Sequence, residues 1–308
     1  MITSRDINIE KLGTFTGHKD SLYALAPSNQ KGVFYCAGLD GMITKWDISK
    51  PDQGELVAKV QGTVYAMFFN PVKNELIVGQ NNEGLHLIDL NENKKIKACP
   101  TGQHQIFDIK LFNGKIYLAQ GDGFLSIIDY EKFSVDKKVK LSDKHSRSLA
   151  IQPDQDLIFV GSSDNIIRGI SLADYNIVHE LTGHEFSIFS LNFSKDYNYL
   201  LSGSRDAHLK IWNSNLDYAL SQDIVAHMYT INHISYREDG RYFATCSKDK
   251  SIKIWDAESF KLLKVIDKAR YAGHGTSVNK LLWLDSTTLA SCSDDRSISI
   301  WKVNGLPE

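Results

Sequence analysis

IVHELTGHEFSIFSLNFSKDYNYLLSGSRDAHLKIWN, residues 177–213, holds the pattern that decides the fold. Three short runs rich in apolar and β-branched residues stand in it: Leu191-Asn192-Phe193, Tyr199-Leu200-Leu201-Ser202 and Leu209-Lys210-Ile211-Trp212. Turn formers such as Lys195-Asp196 and Ser204-Arg205-Asp206 separate them. Runs of this length with this punctuation predict strands, not helices. Gly183-His184 precedes the runs, and Asp206 stands six residues before Trp212.

The frame recurs along the chain. Ile43-Thr44-Lys45-Trp46-Asp47, Ile252-Lys253-Ile254-Trp255-Asp256 and Ile298-Ser299-Ile300-Trp301-Lys302 end like Leu209 to Asn213. Each tryptophan follows an aspartate by six residues, at Asp40, Asp206, Asp249 and Asp295. Each aspartate follows a histidine by 21 or 22, at His18, His184, His227 and His274. Between these units lie three weaker ones, whose aligned ends are Leu87-Ile88-Asp89-Leu90, Ile127-Ile128-Asp129-Tyr130 and Gly169-Ile170-Ser171-Leu172. Trp46, Ile88, Ile128, Ile170, Trp212, Trp255 and Trp301 then mark seven units that fill the chain.

This repeat resembles that of the WD40 family, which runs from Gly-His to Trp-Asp over roughly 40–45 residues. The resemblance covers the whole chain, residues 1–308, and implies one all-β domain, a seven-bladed β-propeller with four strands per blade. Only seven residues follow Trp301, too few for another outer strand and its turn. The segment Ile7 to Phe15 matches the outer strand that precedes His184, so the N-terminal strand is expected to complete the last blade and close the ring.

The resemblance further implies a buried structural tetrad in four blades. Its members would be His184, Ser202, Asp206 and Trp212; His227, Thr245, Asp249 and Trp255; His274, Ser291, Asp295 and Trp301; and His18, Cys36, Asp40 and Trp46, where a thiol stands in for the hydroxyl. Hydrogen bonds from indole through hydroxyl and imidazole to carboxylate would satisfy these groups. A catalytic-triad reading of the His, Ser and Asp is disfavoured, because the set occurs in four copies and the tryptophan fills the space a substrate would need. The three weaker units place Val78, Leu118 and Val160 at the hydroxyl position and Ile88, Ile128 and Ile170 at the tryptophan position. Replacing every partner of a buried network with apolar groups can be nearly neutral. These blades are therefore expected to have greasier interiors.

Function is then expected on exposed loops and rims. In WD40 proteins partners often dock on the narrow face around the central channel. The frequent contact position there corresponds to Tyr23, Tyr65, Phe107, Arg147, Phe189, Asn232 and Asn279, and a second one includes Leu39, Arg205 and Lys248. Aromatic rings and arginines are enriched at binding hot spots, and rings beside Arg147, Arg205 and Lys248 would suit an acidic or amphipathic protein segment. The reading that follows is a non-catalytic scaffold for proteins or peptides.

Its rival is a propeller enzyme or small-molecule receptor using the channel, which would need a convergent acid, base or metal set. The contact positions supply aromatics, amides and one arginine instead. A net charge of −2 argues against nucleic acid and anionic membrane as partners. No apolar run approaches the roughly 18 residues of a membrane span. Met1 to Glu10 shows no apolar leader core, and Cys36, Cys99, Cys246 and Cys292 have no metal or redox spacing. No cofactor or metal is expected, and the cytoplasm is the expected location. Gly121-Asp122-Gly123 reads as a turn between strands, since no helix follows it to cradle a phosphate.

Overall fold

Turn residues between the short apolar runs fold successive strands back as antiparallel hairpins, and four strands in succession make each sheet. The structure, a computed structural model, describes residues 7–306. The first six and last two residues of the expected domain lie outside those described. Seven four-stranded antiparallel sheets follow one another along the chain. Blade 1, for example, consists of Leu22–Pro27, Val33–Gly38, Met42–Asp47 and Glu55–Lys59, from the axis outward. The inner strands of blades 2 to 7 are Val64–Asn70, Ile106–Phe112, Ser146–Gln152, Ile188–Phe193, Ile231–Tyr236 and Val278–Trp283.

The ring closes as expected. Asn8–Phe15 pairs antiparallel with Ile298–Asn304, in register from Asn8 opposite Asn304 to Phe15 opposite Ile298. The last sheet thus takes its outer strand from the start of the chain.

Side chains alternate between the two faces of each strand, so every sheet is apolar on both sides and buries each face against a neighbouring blade. Seven hydrophobic clusters result, each spanning two adjacent blades. At the seam, Phe15, Ala290, Cys292, Ile298 and Ile300 of blade 7 pack with Leu22, Phe34, Cys36 and Trp46 of blade 1. Inner strands press closely on the preceding blade. A Cβ added at Gly79, Gly161 or Gly203 would lie 2.7, 2.6 and 2.6 Å from the side chains of Ile106, Ile188 and Ile231. Only small residues fit that position, and Ala37, Ala119, Cys246 and Cys292 occupy it in the other blades.

The seam makes a direct prediction. Phe15 is buried, with its ring centroid 5.5 Å from that of Trp46 and 6.2 Å from that of Phe34. Phe15→Ala should cost about 3–5 kcal/mol, as large-to-small core changes of this kind do. Urea denaturation measures it, and an unchanged midpoint would mean the N-terminal strand is not seated.

Candidate functional site

Four blades carry the polar chain in full. His184 Nδ1 lies 2.8 Å from Asp206 Oδ2, and His184 Nε2 lies 2.7 Å from Ser202 Oγ. The indole N–H of Trp212 donates to the same hydroxyl at 2.9 Å. A carboxylate only accepts, so the imidazole proton sits on Nδ1 and Nε2 accepts the serine proton. His227 with Asp249, Thr245 and Trp255, and His274 with Asp295, Ser291 and Trp301, repeat this arrangement at 2.8–2.9 Å. Each aspartate also ties two loops together. Asp206 accepts the backbone N–H groups of Glu185 and His208, and Asp249 those of Met228 and Ser251.

Burial alone would raise the Asp206 pKa, but the His184 hydrogen bond and these backbone N–H groups outweigh it and hold the carboxyl at about 2. The serine or threonine oxygen is enclosed between an imidazole and an indole, inside a sheet, on a buried residue. It has no room for a substrate. The chain of groups braces loops.

Blade 1 corrects an expectation. His18 Nε2 lies 2.8 Å from Thr44 Oγ1, and Trp46 Nε1 donates to the same oxygen at 2.8 Å. Thr44, not Cys36, completes this tetrad. The two residues are directly opposite across a strand pair, so their side chains share one face. The stronger hydroxyl partner therefore reaches the site from the neighbouring strand. The Cys36 thiol instead meets Cys292 across the seam, and burial followed by that contact pushes its pKa well up.

The contact positions named from the sequence share one backbone feature. In every inner strand the pairing register shifts between the first and third residues. Tyr23, Tyr65, Phe107, Arg147, Phe189, Asn232 and Asn279 are the extra residues of these seven bulges. A bulge re-aims a side chain out of the regular alternation. Five of them stack around the channel mouth. Tyr23 and Tyr65 centroids are 4.8 Å apart and those of Tyr65 and Phe107 5.4 Å. The Arg147 guanidinium then lies 4.7 Å from the Phe107 ring and 4.4 Å from Phe189. Its Nε donates to Ser163 Oγ at 2.6 Å. Arg147 is thus a keystone between rings, while Arg205 and Lys248 are exposed.

Residues 9–47, 175–213, 219–256 and 266–302 match the WD40 family (WD domain, G-beta repeat). Those segments hold the four tetrads just described. The chain belongs to the WD40-repeat family. It is 21% identical over 239 residues to striatin-3 of Rattus norvegicus, covering 68% of this chain and 30% of that protein. It is 29% identical over 120 residues to mitochondrial division protein 1 of Saccharomyces cerevisiae, covering 39% of this chain and 14% of that protein. Ciliary WD repeat-containing protein ctxp80 of Euplotoides octocarinatus is 36% identical over 93 residues, 29% of this chain and 13% of that protein. The chain therefore spans less than a third of the length of these relatives.

The three WD40 blades outside the matched segments correct a second expectation. Val78, Leu118, Val160, Ile88, Ile128 and Ile170 are all buried as apolar replacements. The interiors are nonetheless not greasier, because polar groups have moved to neighbouring positions on the same face. Gln80 Oε1 meets His86 Nε2 at 2.5 Å, and its amide donates to Gln61 O at 2.6 Å. Gln120 accepts from Ser126 and donates to Thr101. Arg168 pairs with Asp164 at 2.8 Å and with Glu180 at 3.2 Å. His86, Ser126 and Arg168 face the positions where the hydroxyl would be, as Thr44 faces Cys36.

Two groups of residues escaped the sequence reading. Phe186, Met228 and Tyr229 follow tetrad histidines by one or two residues and are 50%, 81% and 59% exposed. Ser204 Oγ donates to Phe186 O, and Ser247 Oγ donates to Tyr229 O, which fixes the loop backbones that carry these side chains. Arg205 lies over the Phe186 ring at 5.8 Å. The signal was an apolar residue in a loop where turn formers are usual. The second group follows the bulges: Asp108, His233 and Lys280 stand where other blades have Ala24, Ala66, Ser148 and Ser190. That alignment would have found them.

Two outcomes test the braces. Thr44→Val leaves the His18 and Trp46 nitrogens unpaired and should cost about 1–3 kcal/mol, whereas Thr44→Ser should be nearly neutral; thermal melts separate the two. The Asp206 pKa is lowered on folding, so its carboxylate contributes fully above the unfolded value of 3.8 and less as pH falls toward about 2. Asp206→Asn should be destabilised at neutral pH and should melt with a shallower pH dependence across that interval.

Proposed function

We propose that the protein is a non-catalytic scaffold that receives a protein segment on the narrow face of the ring, centred on blades 5 and 6. One observation carries this reading: three large apolar side chains, Phe186, Met228 and Tyr229, stand exposed on loops whose backbones are pinned by buried hydroxyls. Holding such rings in water on rigid loops gives no benefit to the fold, whereas preorganised rings lower the entropic cost of binding.

Charge narrows the partner. Exposed Arg205 and Lys248 flank the apolar patch, while Asp20 and Asp294 lie close enough to Tyr23, toward blades 1 and 7, to raise its pKa after burial has done so. An acidic, amphipathic segment would be drawn to blades 5 and 6 and repelled from the acidic groups toward blades 7 and 1. The Tyr23–Tyr65–Phe107–Arg147–Phe189 stack would form the floor of the site. Membership in the WD40 family supports a binding role. The four cysteines, buried and free, support a reducing location such as the cytoplasm.

Phe186→Ala combined with Tyr229→Ala should weaken partner recovery at least about tenfold, since hot-spot truncations cost 2 kcal/mol or more. Affinity purification from the native host checks it, with the melting temperature of the variant unchanged. Equal recovery of the same partners by both proteins would refute the site.

A further inference from the structure

The bore of the ring carries charges that the rim does not. Asp108 and Lys110 come from the inner strand of blade 3, and His233 and Lys280 from those of blades 6 and 7. In a seven-membered ring, blade 3 stands across the axis from blades 6 and 7. The four side chains therefore face one another over the channel, and all four are partly exposed to it.

The charges there do not balance. Asp108 is the one carboxylate of the set, and its capacity is largely used. Its Oδ1 accepts the Ile109 N–H at 2.9 Å and lies 3.8 Å from Lys110 Nζ, and its Oδ2 accepts the Leu149 N–H of blade 4 at 2.9 Å. His233 Nδ1 accepts the Leu281 N–H at 3.3 Å, so its proton is on Nε2, which is left as a donor. The Lys280 ammonium has no hydrogen bond or ion pair among the described residues. Elsewhere in the ring the equivalent side chain accepts a backbone N–H of the next blade, as Ser190 does from Ile234 and Asp108 from Leu149. An ammonium cannot accept, so Lys280 is released from that duty.

We propose that the bore is a binding site for a small oxyanion, held between Lys280 and Lys110 with the His233 Nε2–H as a third donor. Two ammonium groups and one neutral donor against a single engaged carboxylate leave one net positive charge, which fits an oxyanion better than a neutral ligand. The environment agrees. Although water reaches Lys280 along the channel, burial lowers its pKa, and nearby Lys110 lowers it further, while Asp108 works against both. Cys246 and Cys292 lie beside it, and burial pushes the Cys246 thiol pKa well up, so that thiol supplies no balancing charge. An arriving anion would restore the balance. The site is independent of the apolar rim and does not require a docked partner.

Titration calorimetry with inorganic phosphate at constant ionic strength tests the proposal, using the full chain, with acetate as a second probe. The wild type should bind phosphate saturably and melt about 2–4 °C higher with it. Lys280→Met should bind at least tenfold more weakly, Lys110→Met likewise, and Lys280→Arg should retain binding. Preference for phosphate over acetate would identify a dianion site, and equal binding a carboxylate-type site; either supports the proposal. Without phosphate, Lys280→Met should melt at or above the wild type, because it removes an unbalanced charge. A wild type that binds neither anion would overturn the proposal. So would Lys280→Met that binds phosphate as the wild type does, or that melts below it in anion-free buffer.

Discussion

The pairing of Asn8–Phe15 with Ile298–Asn304 makes the last blade from residues near both ends of the chain, and the other six blades depend on it. Each sheet is apolar on both faces and finds cover only in its two neighbours. A ring satisfies every blade equally, whereas an open row would leave two faces and an inner edge in water. Closure also fixes the bore. Seven inner strands held at a common radius bring blade 3 opposite blades 6 and 7, and through them Asp108 and Lys110 opposite His233 and Lys280. The charged lining is a product of ring geometry, since nothing in local sequence places those residues near one another.

The architecture was legible because it rests on periodicity. In four blades tryptophan and aspartate recur at a fixed separation where the third strand follows a tight turn, and histidine recurs where the inner strand begins; the other three keep the spacing with isoleucine at the tryptophan position. The short segment after Trp301 and the strand-like Ile7 to Phe15 located the seam. What escaped was set by cross-strand geometry. Thr44 and Cys36 are eight residues apart in the chain yet directly opposite in the sheet, so a reading by aligned position chose the wrong side chain. The same geometry hid the polar groups of blades 2 to 4. His86, Ser126 and Arg168 lie opposite the apolar residues that suggested a dry interior. The seven residues that prove to be bulges were picked out by the repeat frame, but the division between packed and exposed rings was not. Arg147 is consumed by Phe107 and Phe189, while Phe186, Met228 and Tyr229 reach water from loops that carry no periodic signal.

Tetrad and substitute solve one problem with different atoms. A blade must tie the loop entering its inner strand to the turn between its second and third strands. In blade 5 this falls to Asp206, which bonds to both segments and to His184. Blade 4 keeps a carboxylate at the same turn, Asp164, and pairs it with Arg168, which also reaches Glu180 on the outer strand. Exchanging the bracing atoms leaves the frame intact because the backbone path is set by packing between blades, where Gly79, Gly161 and Gly203 admit the next inner strand.

The seven bulges have an evolutionary corollary. A residue inserted outside the pleat can change identity without turning any neighbour to the opposite face, since the alternation resumes at the following position whatever the inserted residue is. Tyr23, Tyr65, Phe107, Arg147, Phe189, Asn232 and Asn279 are thus seven side chains of different kinds on one backbone mount. Four mounts carry rings, while Arg147, Asn232 and Asn279 also tie one blade to the next, so the same backbone device serves packing at some positions and leaves others open to change.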